Sequence, residues 1–250
     1  MAQAASALGI RIPKPYGLVS ADGRTGIRSE FIDGESLSQL LVSRPERYAA
    51  TLSSYLCELK RFHETKAAAG SFPDVKGLYL EKIDKLSGSD WYTAEELEKM
   101  KELVLSVPDR DTLVCGDFHP ENILVRNGEL YFVDLGDMCT GHPVFDFAMI
   151  ANTHFIIPSV NPAYAEKYFA VPAGLMLRLW DDLFNAYFVR LSPERQRIIK
   201  KGILAFAILR QGLSPADGRV FPEHILKSNT AAVKKKLLPE IDTIIGSIDW

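Results

Sequence analysis

The sequence predicts an α+β protein: a small β-rich beginning, residues 1–33, passes through a short hinge into a mainly helical remainder, residues 34–250, interrupted by one β-hairpin. Three observations carry that reading. Pro13 and Pro15 bar a helix ahead of two strand-like runs, YGLVS and GIRSEFI, which flank the turn Ala21-Asp22-Gly23. From Ser36 onward the apolar residues return at helical spacing. Within the helical part, Asn127-Gly128 separates two short apolar runs, 123–125 and 130–133, and this dipeptide suits the tight turn of a hairpin.

Taken in order, the opening MAQAASALGI is Ala-rich and reads as the end of a helix, with Gly9 where a C-cap glycine stops it. The first hairpin follows, and the hinge falls at Asp33-Gly34, where a change of composition marks a boundary between two unequal lobes. Pro45 divides the helical stretch that begins at Ser36 into two helices. Thr93 and Glu96, three residues apart, form a capping box that opens TAEELEKMKELVLSV as an amphipathic helix. Beyond the second hairpin and GHPVFDFAMIANTHF, helices are expected at 175–190, 193–211 and 224–245, with loops at SVNPA and GLSPADG.

The composition excludes several functions. A chain of 250 residues, 47% of them apolar, buries a sizeable core. Its 29 Lys and Arg against 32 Asp and Glu give a net charge of −3, which leaves no electrostatic footprint for nucleic acid or an anionic membrane. The three cysteines, Cys57, Cys115 and Cys139, are an odd number without CxxC spacing, so neither a disulfide framework nor a zinc site is indicated. No apolar run reaches the roughly 18–20 residues of a membrane span, and the N-terminus has no secretory pattern. A cytoplasmic protein without nucleic-acid or membrane partners is expected.

The chemistry centres on CGDFHPEN, residues 115–122, and VDLGD, residues 133–137, at the edges of the second hairpin. A carboxylate at Asp117, held by a loop at a cleft edge, can act as a base. Asn122 adds a neutral oxygen and Asp134 a negative one, and a hard cation such as Mg²⁺ takes a few oxygen ligands together with water and substrate phosphates. One base with two metal ligands is a constellation for phosphoryl transfer. Each residue alone also fits a turn: Asp before Gly or Pro makes Asx-turns, and Asn122 would cap one.

The stretch LVCGDFHPENILV…GELYFVDLGDMCTGHPVFDFA resembles the signature region of the aminoglycoside phosphotransferase and choline kinase family, relatives of the protein kinases. The resemblance implies a protein-kinase-like fold with a small β N-lobe and a helical C-lobe, using ATP and Mg²⁺ to phosphorylate a small-molecule hydroxyl. It further implies that Asp117 is the catalytic base, that Asn122 and Asp134 hold Mg²⁺, and that Asp146 anchors the helix after the site. LGIRIPKPYGLVSADGRTGIRSEFIDGESL resembles the family's last two N-lobe strands and hinge, where the backbone at Ser29, Glu30 and Phe31 would meet adenine. LCELKRFHE resembles its Leu-His helix. The likeness runs from about Leu8 to at least Ala151.

Two departures stand out. Cys115 occupies the place of a usual His, a supporting position at which a buried thiol packs as a small apolar group. The family's glycine-rich strand-turn-strand, its phosphate-binding Lys and the Glu paired with it do not precede the hairpin, so the N-lobe is expected to be truncated. Lys14, between two prolines, is no substitute for that lysine.

Other residues have competing readings. His119 in the loop has structural and functional readings of equal weight, whereas His63 and His154 are expected to pack or to hydrogen-bond. Asp137 supports the metal site or closes the turn. Trp180, Phe184, Tyr187 and Phe188 follow helical spacing as a core stripe, and Lys234, Lys235 and Lys236 read as a solvated face. Asp181, Asp182, Glu240 and Asp242 fit surface charges better than a site for a cationic acceptor.

The reading is thus an ATP- and Mg²⁺-dependent phosphotransferase of a small hydroxyl acceptor. The alternative is an impaired or pseudo-kinase binding module, and a two-metal hydrolase is disfavoured because no close acid or His cluster is present. The strand edge at GIRSEFI is also expected to invite self-association.

Overall fold

In the computed structural model, residues 1–218 and 221–250 are described. Helix α1 (Ala2–Ala7) ends where Gly9 turns left-handed at φ 77°. Strands β1 (Pro15–Ala21) and β2 (Arg24–Ser29) pair antiparallel with Leu18 opposite Ile27. Asp22 and Gly23 take φ 51° and 71°, the double left-handed turn that matches the twist of a hairpin. Among the described residues this hairpin pairs with no further strand, and Leu18 and Ile27 are 76% and 68% exposed.

Strand β3 (Glu35–Ser36) leads into α2 (Leu37–Ser43), whose start is fixed by a capping box between Ser36 and Gln39. Pro45 opens a short 3₁₀ turn and α3 (Tyr48–Glu64) follows, so the expected break falls where proline removes a helical donor. Helix α4 (Val75–Lys85) had no counterpart in the expectations. Its cap was legible, since Asp74 accepts from the Gly77 amide at 2.7 Å, but Gly77 and its lysines dilute the apolar pattern. Helix α5 (Ala94–Leu105) begins with the expected capping box of Thr93 and Glu96.

The second hairpin is built from β5 (Ile123–Arg126) and β6 (Glu129–Phe132), after the short strand β4 (Leu113–Val114). Asn127 and Gly128 turn left-handed at φ 54° and 82°. β3 pairs with β5 to make a three-stranded sheet, and β4 pairs with β7 (Cys139–Thr140). Gly34 is required here: a Cβ on it would lie 2.5 Å from the Val125 carbonyl oxygen, so any side chain would push the hinge off β5.

The remainder is helical: α6 (Val144–Ala151), a wide π turn at Asn152–Ile156, α7 (Ile157–Val160), α8 (Pro162–Phe169), α9 (Ala173–Tyr187), α10 (Pro193–Gly212), α11 (Glu223–Ala232) and α12 (Ile241–Ile244). Two expectations are corrected. The helix at 224–245 is broken by a π turn and a 3₁₀ turn around Pro239, which has no amide hydrogen to give. The loop at SVNPA is instead the junction of α7 and α8: Asn161 caps α8, and Pro162 occupies a first helical position, where its missing donor costs nothing.

The core runs between α3, the second hairpin and the α6–α10 pair. Phe62 lies edge-on to Phe132 at 4.9 Å, and Phe145 edge-on to Phe206 at 5.4 Å. Trp180, Phe184 and Phe188 are buried as the stripe required, while Tyr187 is half-buried. The segment ahead of the first hairpin joins the same core. Ile10 and Ile12 are buried, the Arg11 carbonyl accepts from the Phe132 amide at 2.8 Å, and the Arg11 guanidinium pairs with buried Glu58 of α3. No helix among the described residues is long and apolar enough to cross a membrane.

Candidate active site

The loop 115–122 leaves β4 and is fastened from below before it reaches Asp117. The Asp146 carboxylate, at the start of α6, accepts from the Gly116 amide at 2.7 Å and the Cys115 amide at 2.9 Å. It also meets His63 Nε2 at 3.1 Å, while His63 Nδ1 faces the Tyr187 hydroxyl at 2.9 Å. Asp146 thereby ties the loop to α3 and α9, and His63 is the hydrogen-bonded core residue expected of it. Gly116 lies at φ 81°, and a Cβ on it would overlap the carbonyl oxygen of Asp137. Only glycine lets these two segments touch.

Phe118 points into the core and stacks on Tyr55 at 4.5 Å. The Tyr55 hydroxyl donates to the Phe118 carbonyl at 3.3 Å and meets His154 Nε2 at 3.2 Å, and His154 Nδ1 is 2.7 Å from Thr153 Oγ1. Burial pushes the His154 imidazole down to about 3, so it is neutral at neutral pH and serves as a support. The Cys115 thiol is buried and pushed well up by that burial, as befits a packing group and not a nucleophile.

Asp117 is half-buried. Its Oδ2 accepts from Asn122 Nδ2 at 2.8 Å and lies 3.5 Å from His119 Nε2. Burial alone would raise its pKa, but His119, Asn122 and the nearby Arg210 charge more than offset that and hold the carboxyl below its ordinary value. It is therefore ionised and ready to accept a proton. With the side-chain nitrogen of Asn122 committed to Asp117, its side-chain Oδ1 remains to ligate. The Val133 amide donates to the Asn122 backbone carbonyl at 2.9 Å, which brings Asp134 alongside Asn122 at the open end of the hairpin.

Asp134 is exposed and left-handed at φ 57°, a conformation that Asp tolerates better than most residues. Among the described residues no cluster of three or more His, Cys, Asp or Glu can hold a metal. Two oxygen donors suit Mg²⁺, which keeps most of its shell for water and phosphate, and do not suit zinc.

Ser29, Glu30 and Phe31 lie at the other end of β5, where Glu30 meets Arg126, about 13 Å along the strand from Asn122 at about 3.3 Å per residue. The Glu30 amide donates to the Lys14 carbonyl at 2.8 Å, and its carboxylate pairs with Arg126 at 2.8 Å, which lowers its pKa. Phe31 is 85% exposed. The structure thus brings Asp117, Asn122 and Asp134 together and sets the three hinge residues apart from them.

His119 is buried with its ring 5.3 Å from Phe169 and its Nδ1 without a partner. Asp137 is exposed at the turn. Three of the four acids considered for a cationic acceptor are engaged elsewhere: Asp181 with Lys200, Asp182 with Arg178 and Tyr48, and Glu240 with Lys201. One residue was missed. Arg210 of α10 donates to the Gly116 carbonyl at 3.3 Å from beneath the loop. Its signal was an arginine inside the apolar run LAFAILRQG, on a helix face that should be buried.

A family model described as "Phosphotransferase enzyme family" matches residues 1–180, and the chain belongs to that family. Its fold is protein-kinase-like, as the solved structures similar to it bear out. The ADP-bound aminoglycoside phosphotransferase APH(2'')-Ib is 16% identical over 96% of this chain and 80% of its own, with a TM-score of 0.57. APH(2")-IIa in complex with gentamicin is 15% identical over 95% and 79%, with a TM-score of 0.56. A choline/ethanolamine kinase family protein from Mesorhizobium loti is 14% identical over 99% and 81%, with a TM-score of 0.55. None of the curated proteins compared with the chain matches it.

Proposed function

We propose that this protein transfers the γ-phosphoryl group of ATP, with Mg²⁺, to the hydroxyl of a small molecule, and that Asp117 orients and deprotonates that hydroxyl. The observation that carries the reading is the Asp117 carboxylate: ionised, half-buried, and fixed by Asn122 at 2.8 Å. Asn122 and Asp134 would hold Mg²⁺, which when bound neutralises phosphate charge. The backbone at Ser29, Glu30 and Phe31 would receive adenine. The chain's own contribution is positioning: α3, α6 and α10 hold the base loop still, so little reorganisation is needed when the acceptor arrives. Support for a nucleotide comes from the ADP-bound relative, and for a small polyhydroxylated or amino-alcohol acceptor from the gentamicin complex and the choline/ethanolamine kinase relative.

A second reading, a nucleotide-binding module with impaired transfer, is favoured by one observation. The first hairpin is exposed, and Lys14 beside it lies between two prolines with its backbone tied to Glu30. ADP release from ATP and Mg²⁺, measured over a panel of amine-bearing and neutral alcohols with Asp117→Ala as control, separates the two. Acceptor-dependent ADP that disappears in the variant supports transfer. ATP affinity by calorimetry without turnover supports the module, and turnover unchanged in Asp117→Ala removes Asp117 as the base.

A further inference from the structure

We propose that Arg210 is a positioning residue for this site: reaching from α10, it fastens the loop that carries Asp117 to the segment that carries Asp134. The proposal rests on the phosphotransferase reading and assigns a role to a residue outside both signature motifs. Three observations bear on it.

The Arg210 guanidinium donates to the Gly116 carbonyl at 3.3 Å, one residue before the base. At the same point Gly116 is pressed so closely against the Asp137 backbone that no side chain fits between them. Arg210 therefore lies under the junction of the two segments that must keep a fixed separation for the base and the metal ligands to act on one phosphate. A carbonyl held from below also cannot rotate, and rotation of the Gly116–Asp117 peptide would swing the base out of line.

The second observation is charge. Arg210 is a half-buried cation, and among the described residues it forms no ion pair with a carboxylate within 4 Å. Burial of such a charge is costly unless nearby groups compensate it. Compensation comes from the surroundings: burial disfavours the charged form, and Tyr79, Asp137 and Asp117 together more than restore it. Arg210 thus balances one acid from each segment, and loss of its charge would leave those acids to repel each other across the junction.

Third, the guanidinium is supported from α4. The Tyr79 ring is buried and packs on Phe145 of α6 at 4.9 Å, with the Arg210 charge near its hydroxyl, which makes no hydrogen bond. A side chain with this support is rigid, as a positioning role requires.

The experiment compares Arg210→Met, which keeps the apolar stem, with Arg210→Lys, which keeps the charge. Each full chain is read two ways: steady-state phosphotransfer, and amide hydrogen exchange of peptides covering 113–122 and 133–140. In Arg210→Met, kcat is expected to fall about 30- to 100-fold with the KM for acceptor changed less than about threefold, and both peptides should exchange at least tenfold faster together. Arg210→Lys should restore kcat to within about tenfold of the parent and slow both peptides again. Unchanged exchange in both peptides, or loosening of α10 alone, overturns the proposal. So does a Lys variant no better than the Met variant. If the parent chain transfers no phosphate, the phosphotransferase reading fails, while the coupled exchange of the two segments still decides the role of Arg210. If Arg210→Met does not fold, Arg210→Lys and Arg210→Gln carry the same two measurements.

Discussion

Replacing Asp146 with Asn leaves the shape of the side chain and removes the charge that organises the loop. The carboxylate accepts from two backbone amides at 2.7 and 2.9 Å and meets a histidine nitrogen at 3.1 Å, all of them buried. Asn has one carbonyl oxygen and an NH₂ group, so at least one buried amide of Cys115 or Gly116 would face another donor. Hydrogen bonds to a charged group contribute about 1.5–3 kcal/mol each, and a buried donor left unpaired adds its desolvation cost. Two lost bonds give about 3–6 kcal/mol, a large part of the about 5–15 kcal/mol that stabilises a domain of ordinary size. Urea denaturation at neutral pH followed by tryptophan fluorescence, with activity measured below the transition, should show a lower midpoint and a kcat reduced at least about tenfold in the molecules still folded. A destabilisation below about 1 kcal/mol would refute the idea that Asp146 holds the loop by charge-assisted bonds.

Three further outcomes are expected. Asp134→Asn should raise the Mg²⁺ concentration for half-maximal activity about tenfold or more while acceptor KM stays within about threefold, read from a Mg²⁺ titration at saturating acceptor, because it would remove the charged member of the proposed donor pair Asn122 and Asp134. Gly116→Ala should cost about 2 kcal/mol or more and abolish most activity, since alanine is strained at φ 81° and its Cβ overlaps Asp137; thermal unfolding checks it. His154 and His142 are buried neutral, pushed down to about 3 and about 4, so the unfolded chain takes up their protons first. Stability from these two is full above about pH 6.5 and falls as the pH drops, by about 2 kcal/mol each at pH 5, and His154→Gln with His142→Gln should flatten that slope in denaturant titrations between pH 7 and 5.

What the sequence made legible was whatever local chemistry dictates. The capping box at Thr93 and the Asn127-Gly128 turn satisfy hydrogen bonds or backbone angles within a few residues, so they read directly. Asp117, Asn122 and Asp134 were legible as a set because one hairpin carries them all. What was not legible depends on distant packing. α4 contains a glycine and many charges, and it is held by burial of Val75, Tyr79 and Ile83 against other helices. Pro162 and Pro239 carry the same local signal, yet one opens a helix and the other interrupts helical structure, a choice made by the neighbours. Arg210 lies 94 residues from the carbonyl it holds, a separation no motif spans.

The two ends of the site are held by different means, and that difference bears on the rival readings. The loop that carries Asp117 is tied to α3, α6 and α10 through bonds at Cys115, Gly116 and Phe118, so its geometry does not depend on the first hairpin. The hinge residues are held by one ion pair between Glu30 and Arg126 and by the Lys14 backbone, and the hairpin beside them is exposed on both faces. Both partners remain open to solvent, which screens their attraction, so the pair orients the hinge weakly. On the proposed reading, nucleotide placement would therefore be the loosely determined half of the reaction, and proton acceptance the well-determined half. An impaired protein of this architecture would lose affinity for ATP before it lost the geometry of Asp117, whereas an altered base loop would leave affinity and remove transfer.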